Sequence, residues 1–301
     1  MKFSARIKKN LRLWVQVAFT ALSNGYLLGF AKGKIYQGAS KQICVPGLNC
    51  FSCPGAVASC PIGSLQAVIA TKQFSFSFYV IGFLMMVGAF AGRFACGWLC
   101  PFGLIQDLLY KIPLVKKIKR VPFDGALRYL KYVILAVFVF ALPLLAVSES
   151  GYGTPWFCEF ICPSGTLMAG IPLVAANSGL RQAAGLLFGW KTLLLLTIIV
   201  LSVLIYRPFC RYLCPLGAIY GIFNRFSLYR YEIDKEQCTG CGKCAKACKM
   251  EVKVWQNPNS AECIRCGECI KHCPEQAIHS TFHRSGSSLS HKTEKNAETK
   301  A

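Results

Sequence analysis

The sequence predicts an all-α membrane domain of four transmembrane helices in two pseudo-symmetric halves, followed by a small α+β domain. Three observations support this fold class. The 301 residues are 54% hydrophobic and only 16% charged, whereas a soluble domain carries about 25% charged residues. Four apolar runs are long enough to cross most of a bilayer. An eleven-residue cysteine turn occurs twice, and each copy follows one of these runs.

The apolar runs predict the path of the chain through the membrane. They cover residues 13–31, 74–92, 132–147 and 188–206. A basic arm precedes the first run, which is long for a signal peptide and lacks a convincing cleavage site, so we expect a retained helix. Lys and Arg are concentrated in this arm and in the loop 93–131. By the positive-inside rule, both termini and that loop should lie on the cytoplasmic side of the inner membrane.

The apolar runs end near residue 230, and this change predicts three regions. A transmembrane domain with cysteine turns covers 1–230, the small domain covers 231–280, and a polar tail covers 281–301. The tail has almost no apolar residues, so it should be disordered. The net charge of +21 is concentrated between the apolar runs, which fits a membrane protein and not a protein that binds nucleic acid.

The cysteine spacing near the C-terminus is the most specific motif. The eighteen cysteines occur in short, spaced groups, which indicates metal binding more than a disulfide scaffold. Two C-x2-C-x2-C-x3-C runs contain Cys238, Cys241, Cys244 and Cys248, and then Cys263, Cys266, Cys269 and Cys273. Three closely spaced cysteines wrap one [4Fe–4S] cube, and the fourth is directed at the other cube. Structural zinc is the alternative, but zinc sites favour two separated pairs of ligands.

These two runs resemble the bacterial two-cluster, or 2[4Fe-4S], ferredoxin. The resemblance assigns one 4Fe-4S cluster to Cys238, Cys241, Cys244 and Cys273. It assigns the second cluster to Cys263, Cys266, Cys269 and Cys248. The first run ends in Lys249, where proline is usual. That proline shapes the turn and is not a ligand, so both clusters are expected.

The repeated turn covers residues 93–103 and 207–217, with Arg, Cys, Leu, Cys, Pro and Gly at the same places in both copies. Proline is favoured at the first helical position. The cysteine before it should therefore lie at a helix start, where free N–H groups stabilise thiolates and anionic clusters. Each turn supplies two thiolates, and a cube needs four. Pseudo-symmetry would bring together Cys96, Cys100, Cys210 and Cys214. The alternatives are buried structural cysteines, or two pairs that serve different clusters.

Two further C-P-x-G turns, at Cys60 and Cys162, suggest an outer site in the membrane domain. By the same pseudo-symmetry, its ligands would be Cys53, Cys60, Cys158 and Cys162. Cys50 is an alternative ligand and Cys44 lies six residues before it, so the choice stays open. Disulfides are the competing use, because the outer face of a bacterial membrane is oxidising. The shared C-P-x-G turn favours a cluster, since disulfides do not need it.

The four-span layout, the C-x3-C-P turns and the C-terminal ferredoxin motif together resemble NapH/MauN-type membrane polyferredoxins, over roughly residues 75–278. The resemblance implies two 4Fe-4S clusters in the ferredoxin domain and one or two more in the membrane domain. It implies electron transfer between the quinone pool or a cytoplasmic donor and other redox proteins, with quinol as a candidate reactant. The outer cysteines are not part of the NapH pattern, and they would suit a relay that reaches the outer face.

Two other functions stay open. The protein could reduce or hand over a metal such as copper during maturation of a membrane oxidoreductase, or it could sense redox state by losing a cluster. No catalytic side chain of its own is predicted. All histidines lie in the soluble end of the chain, so no bis-histidine haem site is expected in the membrane.

The repeated turns also carry charged and aromatic residues. Arg93 and Arg207 should either offset the charge of a cluster or snorkel to the membrane surface. Trp98 and Tyr212 occupy one repeat position and are predicted to anchor the chain at the membrane interface. Asp107 should be solvated or cap a helix, and its less favoured role is to accept protons from quinol.

Overall fold

The computed structural model describes residues 10–70, 77–113, 116–118, 121–145 and 153–282. Most of the predicted tail lies outside these residues. The helices of the first half are α1 Leu11–Ser23, α2 Leu27–Lys32, α3 Pro61–Ile69, α4 Ser77–Ala91, α5 Phe94–Trp98 and α6 Pro101–Lys111. Those of the second half are α7 Asp124–Leu145, α8 Pro163–Ala176, α9 Ser178–Gln182, α10 Leu186–Leu204, α11 Pro208–Tyr212 and α12 Pro215–Phe223.

Within the described residues, each apolar run contains helix as predicted, but the helices differ in length. Among the described residues, two helices are long and apolar enough to cross a membrane, α7 with 22 residues and α10 with 19 residues. Helix α4 has 15 residues, and the predicted start of its span lies outside the described part of the chain. The four-helix membrane domain therefore stays a prediction.

The first apolar run is not the continuous helix that its composition predicts. Helix α1 ends at Ser23, and α2 begins at Leu27. A later loop bonds to the backbone at this break: Tyr26 donates its N–H to the Gly55 carbonyl, and Val57 donates its N–H to the Ser23 carbonyl. These bonds satisfy backbone groups that an uninterrupted helix would have paired internally.

The two halves pack by exchanging their turn helices. Helix α6, which follows the first turn, packs against α10, and α12, which follows the second turn, packs against α4. Each turn helix thus contacts the long apolar helix of the other half. Phe102 and Phe209 meet at this junction with ring centroids 5.2 Å apart in an edge-to-face contact. The two cysteine turns therefore face each other inside the bundle.

The loop between α2 and α3 folds into the bundle and does not run over the surface. A bridge pairs Cys44 with Ser59, and Val45 donates its N–H to the Ser59 carbonyl at 3.0 Å. Leu48 and Asn49, at the tip of this loop, are 2% and 0% exposed. The loop therefore carries its cysteines into the interior of the protein.

The C-terminal domain is a small α+β unit. It consists of β1 Tyr231–Ile233, α13 Lys243–Ala247, α14 Glu268–Lys271 and β2 Ile278–Ser280. The two strands are antiparallel, with Tyr231 opposite Ser280. Each short helix follows a glycine in the left-handed region, Gly242 with φ 68° and Gly267 with φ 81°. Glycine reaches this conformation without strain, so each cysteine loop can turn sharply into its helix.

Candidate iron–sulfur sites

The structure brings the cysteines of the repeated turn into one buried group, which we call the inner set. Its members are Cys96, Cys100, Cys210 and Cys214, each at most 5% exposed. Their thiols lie within electrostatic range of one another. Cys100 and Cys214 precede the first residues of α6 and α12, and a proline follows each of them. Both are therefore at helix starts, as the C-P spacing predicts.

The donor chemistry of the inner set fits a [4Fe–4S] cluster better than a single ion. Among the described residues, no group of three or more Cys, His, Asp or Glu side chains is placed to hold one metal ion. Zinc–sulfur bonds of about 2.3 Å would draw four sulfurs to within roughly 4 Å of one another. A cube binds its thiolates on the outside, at larger separations. Burial raises the pKa of Cys96, Cys100 and Cys210 to about 11, so these thiols need a bound cation to ionise at neutral pH.

Two arginines cross between the turns. Arg93 and Arg207 are both 0% exposed, so neither snorkels to the membrane surface. Arg93 donates to the Cys210 carbonyl at 2.9 Å, and Arg207 donates to the Cys96 carbonyl at 2.6 Å. In both turns a side chain in place of the C-P-x-G glycine would lie 3.2 Å from the guanidinium of the opposite half. The arginines thus join the two turns and place positive charge where an anionic cluster would lie.

Asp107 is the counterion of Arg207. The guanidinium donates to the carboxylate from Nε at 2.8 Å and from Nη2 at 2.6 Å, and Arg12 of α1 forms a second ion pair. Burial alone would raise the pKa of Asp107, but the two arginines outweigh burial and hold the pKa at about 2. The two arginines therefore favour the anionic form of Asp107 at neutral pH. Because Asp107 is 8% exposed and held in these ion pairs, it is not the solvated or capping group that the sequence favours.

Glu262 is the corresponding counterion of Arg93, and it comes from the ferredoxin domain. Its carboxylate lies 2.9 Å from the Arg93 guanidinium and also pairs with Lys131 of α7. Glu262 is only 6% exposed, so these charges interact in a low dielectric. Arg207 thus receives its counterion from α6, and Arg93 receives its counterion from the ferredoxin domain.

The second pair of C-P-x-G turns gathers a group that we call the outer set. Its thiols, which lie within electrostatic range of one another, are those of Cys50, Cys60, Cys158 and Cys162. The sulfur of Cys50 lies 3.7 Å from a Cβ built on Gly165, and that of Cys158 lies 3.8 Å from a Cβ built on Gly63. Cys50 and Cys158 thus each face the C-P-x-G turn of the opposite half.

Cys53, which the sequence places in the outer set ahead of Cys50, lies at the edge of this group, and its thiol is within electrostatic range of the Cys50 thiol. Its sulfur is 3.8 Å from Oδ1 of Asn24, at the break between α1 and α2. The sulfur of Cys44 is 3.9 Å from Oγ of Ser64. All eighteen cysteines lie in the described part of the chain, and each is a free thiol. In the structure the outer cysteines are grouped as free thiols, and the choice between cluster and disulfide stays a prediction.

Two glutamines that the sequence reading missed bind cysteine sulfurs in the same way. Gln106 donates from Nε2 to Cys210 Sγ at 3.1 Å, and Gln66 donates from Nε2 to Cys158 Sγ at 3.4 Å. Each carbonyl oxygen accepts the N–H of the phenylalanine before that cysteine, at 3.2 Å and 3.0 Å. The signal was present, because both glutamines stand six residues after the cysteine of a C-P-x-G turn.

The inner and outer sets are neighbours in one bundle. Leu48 donates its N–H to Cys100 Sγ at 3.4 Å, and the N–H of the next residue, Asn49, is directed at the Cys60 thiol. This path keeps the sulfurs of Cys100 and Cys60 within roughly 11 Å of each other. The separation is far smaller than the thickness of a hydrocarbon core of about 30 Å.

The eight ferredoxin cysteines form two groups, and the fourth cysteine of each run belongs to the group of the other run. The first group, which lines one cavity, is Cys238, Cys241, Cys244 and Cys273. The second group, whose thiols interact, is Cys248, Cys263, Cys266 and Cys269. This grouping is the one that the two-cluster ferredoxin resemblance implies. Cys241 is exposed, whereas Cys263 and Cys269 are buried.

The loop of the second ferredoxin group packs directly on the first inner turn. A Cβ on Gly97 would lie 2.2 Å from the carbonyl oxygen of Ile264. The indole N–H of Trp98 donates to the Arg265 carbonyl at 3.0 Å. Trp98 therefore holds the ferredoxin loop, and its role as an interfacial anchor stays a prediction. The second ferredoxin group and the inner set are thus adjacent.

Comparison with known families agrees with this arrangement. The 4Fe-4S binding domain family matches three stretches of the chain, 73–122, 133–178 and 188–230. The 4Fe-4S dicluster domain family matches residues 230–274. The first and third stretches contain the inner turns, and the dicluster match contains both ferredoxin runs. The family matches thus cover both inner turns and both ferredoxin runs.

Named relatives are similar over part of their length. An uncharacterized protein of Methanocaldococcus jannaschii is 31% identical over 178 residues, which cover 57% of each chain. The putative electron transport protein YccM of Escherichia coli is 28% identical over 197 residues, covering 64% of this chain and 50% of YccM. The methylamine utilization ferredoxin-type protein MauN of Methylorubrum extorquens is 31% identical over 175 residues, covering 56% of this chain and 50% of MauN.

This chain spans about half the length of the curated relatives that it matches. No solved structure matches it. The ferredoxin-type and electron-transport relatives and the repeated 4Fe-4S domains agree with the resemblance that the cysteine turns indicate. The chain therefore belongs to the MauN/NapH-type polyferredoxins.

Proposed function

We propose that the protein is a membrane-bound relay that carries single electrons through four 4Fe-4S sites. In spatial order these are the first ferredoxin group, the second ferredoxin group, the inner set and the outer set. Bound clusters supply one-electron oxidation and reduction, and the chain holds them, offsets their charge and excludes water. The relay would exchange electrons with the quinone pool and with another redox protein.

The observation that carries this proposal is the contact between successive cysteine groups. Ile264 of the second ferredoxin loop lies against Gly97 of the inner turn. Leu48 and Asn49 then connect the inner set to the outer set through consecutive N–H groups. Electron transfer needs closely spaced centres, and these short connections supply a continuous path. The ligands of the outer site are proposed to include Cys50 in place of Cys53.

A membrane location is supported by the apolar surface of the long helices. Helix α10 exposes Leu186, Leu193, Leu196 and Val200 by more than half. Helix α4 exposes Phe78 and two methionines to a similar extent. Apolar faces of this size are unusual on a soluble protein, whereas a bilayer covers them. The proposal keeps residues 1–230 as the transmembrane domain, with the ferredoxin domain, residues 231–280, in the cytoplasm.

Iron counting with EPR on anaerobically purified protein tests the number of sites. Four cubes correspond to about sixteen iron atoms per chain. Changing both Cys100 and Cys214 to Ala should delete one EPR signal and spare the two ferredoxin signals, because each turn supplies half of the inner set. A content of eight iron atoms would contradict the proposal, and a loss of two separate signals would show that the turns serve different clusters.

A matched pair of variants tests the outer site. Cys50→Ala should remove the outer signal and about four iron atoms, because the Cys50 sulfur faces Gly165 of the opposite turn. Cys53→Ala should keep both, since that sulfur lies beside Asn24. The reverse result would return Cys53 to the ligand set. A wild-type content of about twelve iron atoms would remove the outer cluster from the relay.

A further inference from the structure

The four C-P-x-G turns share a position that lies six residues after the C-P cysteine. In chain order this position is occupied by Gln66, Gln106, Met168 and Tyr220. Gln66 donates to the sulfur of Cys158 at 3.4 Å. Gln106 donates to the sulfur of Cys210 at 3.1 Å. In both turns the acceptor is the first cysteine of the C-x3-C turn in the opposite half. The side chain at this position thus donates to a proposed cluster ligand.

Tyr220 occupies this position in the last turn. Its side chain is 0% exposed, and its hydroxyl has no hydrogen-bond partner among the described residues. A buried hydroxyl without an acceptor is costly. Gln106 donates to Cys210, and Cys96 is the equivalent of Cys210 in the other half. Pseudo-symmetry of the inner turns therefore makes Cys96 the expected acceptor for Tyr220. Cys96 is also the thiol with the largest electrostatic effect on this hydroxyl.

We propose that Gln106 and Tyr220 are a matched pair of hydrogen-bond donors to cluster thiolates, and that they make the inner cluster easier to reduce than the outer one. The proposal rests on the proposed function, since it takes both sets to hold clusters. One-electron reduction adds a negative charge to a site, and donors to its sulfurs stabilise that charge. The buried guanidinium groups of Arg93 and Arg207 act in the same direction at the inner set.

The outer set has fewer side-chain hydrogen-bond donors to its cysteine sulfurs. Gln66 supplies one donor, but the remaining turn has Met168, whose thioether cannot donate. Its sulfur instead lies 3.3 Å from Oγ of Ser164. Two lysines approach the outer set. Lys191 donates to the Cys158 carbonyl at 3.2 Å, and Lys41, which is 6% exposed, lies within electrostatic range of Cys50. The inner set therefore differs from the outer set in its second side-chain donor to sulfur, and this donor should make the inner site the easier one to reduce.

Potentiometric EPR titration of the full-length protein tests the proposal. In the wild type, the inner signal should appear at a higher potential than the outer signal. Tyr220→Phe and Gln106→Met should each lower the equilibrium constant for reduction of the inner cluster by about tenfold. This corresponds to a potential about 59 mV lower for a one-electron couple. Gln66→Met should lower only the outer potential, and Met168→Gln should raise it. In Tyr220→Phe, an exchangeable proton coupled to the inner signal should also disappear.

Iron content at the wild-type level shows that each variant still folds and loads. If Gln106→Met loses its inner cluster, the potential of Tyr220→Phe is the deciding measurement, because this change removes one oxygen atom and no hydrogen bond between described residues. Unchanged inner potentials in fully loaded Tyr220→Phe, or a shift of the outer signal in its place, would overturn the inference and leave the relay standing. A wild type without an inner signal would overturn the relay itself.

Discussion

Buried charge determines what the inner set can hold. Each of the two crossing arginines shares a carboxylate with a second cation, so Asp107 pairs with Arg207 and Arg12, and Glu262 pairs with Arg93 and Lys131. Four cations against two carboxylates leave two positive charges beside the cysteines. A cube with a doubly positive core and four thiolates carries two negative charges. The residues around the inner set would therefore neutralise an oxidised cluster bound there.

A substitution of Asp107 tests this charge balance directly. In Asp107→Asn, the Arg207 guanidinium keeps its burial and loses its bidentate partner, so we expect a loss of about 3–5 kcal/mol of stability. Thermal unfolding and iron content should both report this loss, and the inner EPR signal should weaken before the ferredoxin signals do. Glu236→Gln is the control, because Glu236 is exposed and should change stability by less than about 0.5 kcal/mol. Equal effects of the two variants would contradict the counterion role.

At the scale of elements, the contact between the inner turn and the ferredoxin loop depends on one glycine. Helix α5 approaches Ile264 so closely that a Cβ on Gly97 would be 2.2 Å from a backbone oxygen. A backbone atom cannot rotate away as a side chain can. The carbonyl of Gly97 also accepts hydrogen bonds from Arg12 at 2.9 Å and Gln16 at 3.1 Å. This turn is therefore fixed on both sides, by α1 and by the ferredoxin loop.

Gly97→Ala should separate these elements without removing any ligand. Overpacking of this kind costs about 1–3 kcal/mol. We expect full iron content, a lower unfolding temperature and slower electron exchange between the ferredoxin and inner clusters, measured by rapid-freeze EPR after partial reduction. Gly82→Ala is the matched control, since a Cβ there meets nothing within 4 Å. Wild-type exchange rates in Gly97→Ala would show that this contact does not set the path.

The elements also show which features a sequence can predict. The starts of α6 and α12 follow from local chemistry, because proline is favoured at a first helical position, and both appear where C-P occurs. The break after Ser23 does not follow, since it depends on backbone groups of a distant loop. For the same reason, spacing alone cannot choose between Cys50 and Cys53. Gln106 and Gln66 were predictable, because their position repeats with the C-P-x-G turn.

At the scale of the whole molecule, the cysteine groups run from the surface inward. Cys241 of the first ferredoxin group is exposed. The cysteines of the inner set are at most 5% exposed and lie beneath the second ferredoxin loop. Solvent and small solutes therefore reach one end of the row far more easily than its middle. An external redox partner would exchange electrons at that exposed end.

This gradient of exposure predicts the order in which iron is lost. When the intact, full-length protein is treated anaerobically with a water-soluble chelator, the first ferredoxin cluster should be lost fastest, taking roughly a quarter of the iron. The inner signal should persist longest, because its thiolates are buried and its charge is offset by Arg93 and Arg207. Gly97→Ala should shorten that persistence by loosening the ferredoxin loop that covers the inner turn, whereas Gly82→Ala should leave it unchanged. Loss of the inner signal together with the first ferredoxin signal would contradict a row that runs from the surface into the bundle.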